Sequence, residues 1–214
     1  MLTLYGNLDS GNDYKVRLLF AQLGVRHRRV EVRQDTGDTA TAAFRAINPN
    51  GKVPTVRFDD GRILAESGAI LFYFAQGTPL WPDDPWDRAE VLRWMFFEQY
   101  SHEPYIAVNR YILHFLPDRS GTERRVAENN KKGAHALAVM DKHLTDCDWL
   151  AAGRYSIADI ALYAYTHNAD ESGFDLDVCP NVGRWLDRVR AEPGHVPMDR
   201  ETGALPPARL DGPA

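Results

Sequence analysis

The stretch Asn48-Pro49-Asn50-Gly51-Lys52-Val53-Pro54-Thr55-Val56 restricts what this chain can fold into more than any other. Asn-Pro and Asn-Gly are turn-forming pairs, and the Val-Pro that follows them cannot sit inside a helix. Pro54 runs straight into the β-branched pair Thr55-Val56, so the segment reads as a bend that delivers a strand. Asp59-Asp60-Gly61 then supplies a hairpin turn. Glu66-Ser67 opens an apolar segment, Ile70, Leu71 and Phe74, on helical spacing. A helix start that follows a strand offers unpaired N–H groups suited to a carboxylate.

Upstream, Leu2-Thr3-Leu4-Tyr5 reads as a short strand stopped at Gly6-Asn7. The polar cluster Asp9-Ser10-Gly11-Asn12 precedes Val16, Leu18, Leu19, Phe20 and Leu23 on helical spacing, and Gly24 ends that helix. A second strand runs through Val30 and Val32, and Thr41 to Ile47 forms a short helix. The order strand, helix, strand, helix, strand, strand, helix is that of a thioredoxin-like half, with two parallel strands across a helical crossover and then a hairpin. Three prolines between Gly77 and Pro85 break all periodicity and mark a linker at 78–85. Trp86 to about Phe115, with Pro104 as a kink, Glu123 to Leu144 and Pro180 to Val189 all read as helix. Ser156-Ile157-Ala158-Asp159 has the form of a capping box ahead of a buried helix. The expected architecture is an α/β thioredoxin-like N-terminal domain over 1–77 plus an all-α C-terminal domain over 86–198. Residues 199–214, rich in Glu, Gly, Pro and Arg, are expected to form a poorly ordered tail.

Taken together, N-P-x-G-K-V-P, a short hairpin, the Glu-Ser pair and the capping box resemble the cytosolic glutathione S-transferase family over about residues 2–192. The local pattern Ser10-Gly11-Asn12 followed by Tyr14-Lys15-Val16-Arg17 is similar to its serine-type bacterial, theta- or beta-like members. The resemblance implies that Val53 lends its backbone to the cysteinyl part of glutathione, that Pro54 is cis, and that Glu66 and Ser67 hold the γ-glutamyl carboxylate and amine. It implies a homodimer with glutathione as co-substrate and a site between the two domains. The capping box serves folding in that family, not chemistry.

By the same resemblance, Ser10 hydrogen-bonds the glutathione sulfur. A free thiol has a pKa of about 8.5, and the nucleophile is the thiolate. A hydroxyl donor and a helix N-terminus both favour the anion, which makes Ser10 a stabiliser and not itself a nucleophile. Ser10 could equally serve as the helix cap, as could Asp9 or Asn12. Asn12 is the rival sulfur contact, because some bacterial members rely on an asparagine here and favour disulfide reduction. Lys52 could pair with the glycyl carboxylate or stay a solvated loop lysine. Tyr5 sits too early to be a catalytic tyrosine and is expected to pack. His102, Tyr105 and Tyr111 put polar and aromatic groups on the first long helix of the second domain, where a pocket for a flat or unsaturated electrophile is expected.

Composition removes other classes. With 25 basic against 30 acidic residues the net charge is -5, which argues for neither a nucleic-acid nor an anionic-membrane partner. No apolar run has the length of a membrane span, and Met1-Leu2-Thr3-Leu4 lacks signal-peptide features, so a cytoplasmic location is expected. Cys147 and Cys179 fit neither a disulfide framework nor a C-x-x-C pair. His102-Glu103 has no second ligand pair at helical spacing, so no metal site is expected. The expected activity is glutathione conjugation to a small electrophile. Glutathione-dependent disulfide or peroxide reduction at the same site, and a non-catalytic binding protein on the same fold, are the alternatives.

Overall fold

The computed structural model describes residues 1–200, 202–203 and 208–210. Two compact units emerge: residues 1–74 with the described part of 193–214, and residues 75–192.

In the first unit the strands are β1 (Thr3–Gly6), β2 (Arg28–Glu31), β3 (Thr55–Arg57), β4 (Ile63–Ala65) and β5 (Ala208–Arg209). They form one sheet in the order β4-β3-β1-β2-β5. β1 and β2 are parallel, joined by α1 (Gly11–Leu23), and β3 and β4 form the antiparallel hairpin. α2 (Ala42–Ile47) leads into the Asn-Pro turn, and α3 (Ser67–Ala75) leaves the hairpin. Alternation along β1 supplies a core on each face of the sheet. Leu4 packs with Val16, Phe20, Val56 and Ile70 on one side, and Tyr5 with Val30, Val32 and Phe44 on the other. Gly24 stops α1 in the left-handed conformation at φ 65°, where its N–H bonds the carbonyls of the last turn.

The second unit is helical: α4 (Pro85–Phe97), α5 (Glu103–Arg110), α6 (Glu123–His143), α7 (Ile157–Thr166) and α8 (Pro180–Ala191). The kink expected at Pro104 takes a specific form. π-helical turns at Glu98–His102 and Tyr111–Phe115 flank α5, and the Glu103 N–H reaches back five residues to the Glu98 carbonyl. Pro104 has no N–H to carry the α-helical ladder, and the wider turn before it accommodates that loss. The capping box forms as the sequence indicates, with Ser156 and Asp159 exchanging side-chain bonds across the start of α7. Asp159 also accepts from the Leu150 N–H at 3.0 Å and the Trp185 indole at 2.9 Å, tying α7 to α8.

The C-terminal boundary differs from the expectation. The chain returns to the first unit at residue 193, not at 199, and it continues there as structure. Tyr14 Oη donates to the Val196 carbonyl at 2.7 Å, and Arg17 donates to the carbonyls of Met198 at 2.8 Å and Arg200 at 3.0 Å. β5 then pairs in parallel with β2, Val30 opposite Ala208, and occupies what would otherwise be an open sheet edge. Composition alone misses this because the segment is held through its backbone carbonyls and N–H groups, which every residue carries. The parts of the expected tail at 201, 204–207 and 211–214 lie outside the described residues.

Candidate functional site

Pairing register gathers the candidate residues of the first unit at one end of the sheet. β1 runs antiparallel to β3 with Tyr5 opposite Thr55, so the exit of β1 meets the entry of β3 at Pro54. Continuing the β3–β4 register two residues beyond Thr55 opposite Ala65 brings Val53 level with Ser67, the first residue of α3. The loop after β1 leads at once into α1. Two helix N-termini and one interrupted strand therefore converge, at the carboxyl ends of the parallel strands β1 and β2, where α/β folds place their ligands.

Ser10 is the N-cap of α1: its Oγ accepts from the Asp13 N–H at 3.3 Å. The capping function is thus real, and it uses only the oxygen, leaving the hydroxyl hydrogen available to a second acceptor. Asn12 sits in the first turn of α1 and is the hub of a small polar cluster. Its Oδ1 accepts from Lys15 Nζ at 2.7 Å and from Ser67 Oγ at 3.3 Å. That second bond joins α1 to α3 across fifty-five residues of sequence. Lys15 is buried, and the sequence reading passed over it; the signal was its position three residues after Asn12 on the same helix face.

The Val53-Pro54 bond is cis. The turn before it is built by Asn48, whose buried amide donates to the Lys52 carbonyl at 2.8 Å and to Thr55 Oγ1 at 3.0 Å. Among the described residues no hydrogen bond reaches the Val53 backbone, a half-buried strand entry with its polar groups uncommitted. Lys52 projects an exposed side chain. Glu66 is exposed and holds φ at 68°, in the left-handed region, while Ser67 beside it is buried. For a non-glycine residue that conformation costs about 1–2 kcal/mol, and such strain gathers at ligand sites.

A buried charge network backs the loop. Asp13 accepts from Arg17 Nε at 2.9 Å, with the Arg29 guanidinium 3.8 Å away and Glu31 bonded to Arg29 in turn. Burial raises the Asp13 pKa, opposed by the two guanidinium groups. Arg17 also donates to the Leu8 carbonyl at 3.0 Å, so the segment between β1 and Ser10 hangs from the same side chain that holds Met198 and Arg200. Gly6 lets this happen, because a Cβ there would collide with the Asp13 carboxylate. A cavity of about 560 Å³ lined by Gly24, His27 and Val196 lies by the far end of α1 and shares none of the site residues.

In the helical unit the three pocket candidates part company. His102 is fully buried; its Nε2 lies 2.9 Å from Thr166 Oγ1, which itself donates to the Leu162 carbonyl, so the imidazole N–H is the donor. This is a core histidine pinning the π turn to α7, and its expected place on a pocket wall is corrected. Tyr105 is half-buried with Lys132 Nζ 5.1 Å from its ring centre, and Tyr111 is exposed and stacks on Phe115 at 6.5 Å. Among the described residues no group of His, Cys, Asp and Glu side chains could hold a metal ion, and no helix is long and apolar enough to cross a membrane.

Comparison with known proteins gives matches over both units. The family described as "Glutathione S-transferase, N-terminal domain" matches residues 14–76, and "Glutathione S-transferase, C-terminal domain" matches residues 95–193. Ser10 and Asn12 precede the first match. A crystal structure of a glutathione S-transferase from Pseudomonas fluorescens Pf-5 is 47% identical and superposes with a TM-score of 0.90, covering 92% of this chain and 98% of that one. Glutathione S-transferase GstB of Escherichia coli K12 is 30% identical over 90% of this chain and 95% of its own length. The disulfide-bond oxidoreductase YfcG of the same strain is 30% identical over 85% of this chain and 87% of its own length.

Proposed function

Because the chain belongs to the glutathione S-transferase family, we propose that its first unit binds glutathione and activates it as a thiolate for conjugation to a small electrophile. The observation that carries this reading is the Ser67–Asn12 bond, which fastens the N-terminus of α3 to that of α1. In this reading that link holds the groups proposed for the γ-glutamyl end and for the sulfur end of one peptide-sized ligand at a fixed separation.

In this reading the uncommitted backbone of Val53 pairs with the cysteinyl main chain like a further strand. The Glu66 carboxylate takes the γ-glutamyl ammonium, and the N–H groups at the start of α3, that of Ser67 among them, take its carboxylate, while the Ser67 hydroxyl stays donated to Asn12. Exposed Lys52 faces the glycyl carboxylate as a point charge. Ser10 and Asn12 donate to the sulfur, lowering a thiol pKa of about 8.5 toward neutrality. The thiolate then forms a carbon–sulfur bond with the electrophile, by addition or by expelling a leaving group. Tyr105 and Tyr111 remain the proposed contacts of the helical unit with that substrate. The proposed location is the cytoplasm, where glutathione is kept reduced, and the proposed assembly is a homodimer.

Disulfide reduction is the second reading, favoured by Asn12 being the hub of the cluster and by the similarity to a protein named as a disulfide-bond oxidoreductase. In this reading the two electrons come from two glutathione molecules that leave as glutathione disulfide.

A difference-absorbance titration of bound glutathione tests the proposal on the native protein, Ser10→Ala and Asn12→Ala. A thiolate band near neutral pH, weakened by either substitution, with turnover of a conjugation substrate is the expected result. A band accompanied only by disulfide turnover selects the second reading. Absence of saturable glutathione binding overturns both and leaves a binding protein on the same fold.

A further inference from the structure

We propose that the cavity between the end of α1 and residues 194–203 is a second ligand site, built for a small carboxylic acid that carries a hydroxyl group on an apolar, ring-sized body. It lies wholly in the first unit and goes beyond the glutathione reading, with which it shares no residue.

The cavity holds about 560 Å³, the size of a small-molecule site. Two buried polar atoms of its lining residues have no hydrogen-bond partner, His27 Nε2 and Thr202 Oγ1. His27 is 2% exposed, and its Nδ1 turns back on its own chain, 3.0 Å from the Val25 carbonyl. A carbonyl only accepts, so Nδ1 carries the ring hydrogen. Burial lowers the imidazole pKa against the Val25 bond, and the Arg29 and Arg17 charges act in the same direction as burial. The ring is therefore neutral near pH 7, and Nε2 is a bare acceptor. The Phe20 ring, edge-on at 4.9 Å, holds it in place. Nε2 looks toward residues 202–203, because a Cβ added to Gly203 would lie 3.6 Å from it. A ligand hydroxyl meets both needs with one atom, donating to His27 and accepting from Thr202, whereas an N–H would serve only His27.

The rest of the lining divides by polarity. Phe20, Ala21, Val25 and Val196 form an apolar wall. Arg26 and Arg200 are exposed, and among the described residues neither guanidinium has an ion pair or a hydrogen bond. No carboxylate of the described residues lines the cavity. Two unengaged guanidinium groups beside that wall suit a planar carboxylate, with the hydroxyl end of the same molecule seated at His27.

Calorimetric titration of 4-hydroxybenzoate into the full-length native protein tests the site, beside benzoate, which lacks the hydroxyl, and methyl 4-hydroxybenzoate, which lacks the charge. The native protein should bind 4-hydroxybenzoate with a dissociation constant below about 1 mM, and each analogue about tenfold more weakly. Saturating S-methylglutathione should leave that affinity unchanged. In His27→Phe, which keeps a ring, 4-hydroxybenzoate and benzoate should bind within about twofold of each other. The exposed pair Arg26→Ser, Arg200→Ser should erase the preference for the acid over its ester. Benzoate that binds the native protein as tightly as 4-hydroxybenzoate overturns the proposal, and that comparison needs no variant to fold. Displacement of the acid by S-methylglutathione overturns it by placing the acid in the glutathione site. A folded His27→Phe that still prefers the hydroxyl overturns it as well. So does the absence of saturable binding up to about 10 mM, which leaves His27 and Thr202 to water.

Discussion

Asp159 shows at a single residue how a group used for folding acquires a pH signature. It is fully buried and takes bonds from Leu150, from the Ser156 N–H and hydroxyl, and from the Trp185 indole. Burial nevertheless outweighs those bonds and raises its pKa to about 6 from 3.8. A folded-state pKa above the unfolded one means that the folded protein binds the proton more tightly, so this group favours folding most at low pH. Its contribution is complete below pH 3.8 and is lost as the pH rises through about 6. Relative to Asp159→Asn, the native protein is expected to gain on the order of 1 kcal/mol between pH 7 and pH 5 in urea unfolding. A difference that does not change with pH would show that the carboxylate stays ionised throughout. Both Ser156 and Asp159 are legible in the sequence as a box; the Trp185 bond that completes the site is not, because it depends on how α8 packs. Glu66 is the same lesson at the candidate site: the residue is readable, whereas its φ of 68° is known only once the hairpin and α3 are in place.

Among elements, the C-terminal strap is the one whose role reaches furthest from its own sequence. It is fastened to the outer face of α1 by Tyr14 and Arg17, one helical turn apart, and to the edge of β2 by β5. Tyr14→Phe keeps the ring and removes the hydroxyl, and with it the bond to the Val196 carbonyl and the 3.4 Å contact with His195 Nε2. The expected cost is about 1 kcal/mol of local stability. It should appear as faster amide hydrogen exchange over residues 194–200, while the amides of β1 and β3 hold their protection. Uniform loss of protection across the unit would show that the strap is part of its cooperative core. Arg17 couples the same strap to the Leu8 carbonyl, which makes the segment before Ser10 an indirect reader of C-terminal order. The helices of the second unit were largely readable from their spacing and caps. The π turns around α5 were not, since a widened turn has no residue signature beyond the proline that follows the first of them.

For the molecule as a whole, the question raised by the surface is what covers its aromatic residues. Trp86, Phe96 and Tyr100 are 73%, 69% and 82% exposed, and Phe96 and Tyr100 stand four residues apart along α4 and the turn that follows it. Large aromatic side chains clustered in solvent mark an interaction surface, and in the homodimer proposed above this is the face expected to be shared. Sedimentation equilibrium should find a dimer at micromolar concentration, and the double change Phe96→Glu, Tyr100→Glu should dissociate it by burying like charges across a two-fold contact. A dimer unaffected by both glutamates would place the contact elsewhere. The net charge of -5 sets no obstacle to association and gives no specificity to it.

Local chemistry explains what residue order alone determined. Turn pairs at Asn48-Pro49 and Asn50-Gly51, the left-handed stop at Gly24, the capping box at Ser156 and the alternation along β1 each act within a few residues, so they could be read directly. Tertiary structure alone decided the rest. It buried His102 against Thr166, sixty-four residues away, and joined Tyr14 to Val196 across 182. It also turned Lys15 inward onto an amide that Ser67 holds from another helix. The physical reason is the same in each case: a side chain's role depends on its desolvation and on the partner it meets, and both are set by chain segments far away in sequence.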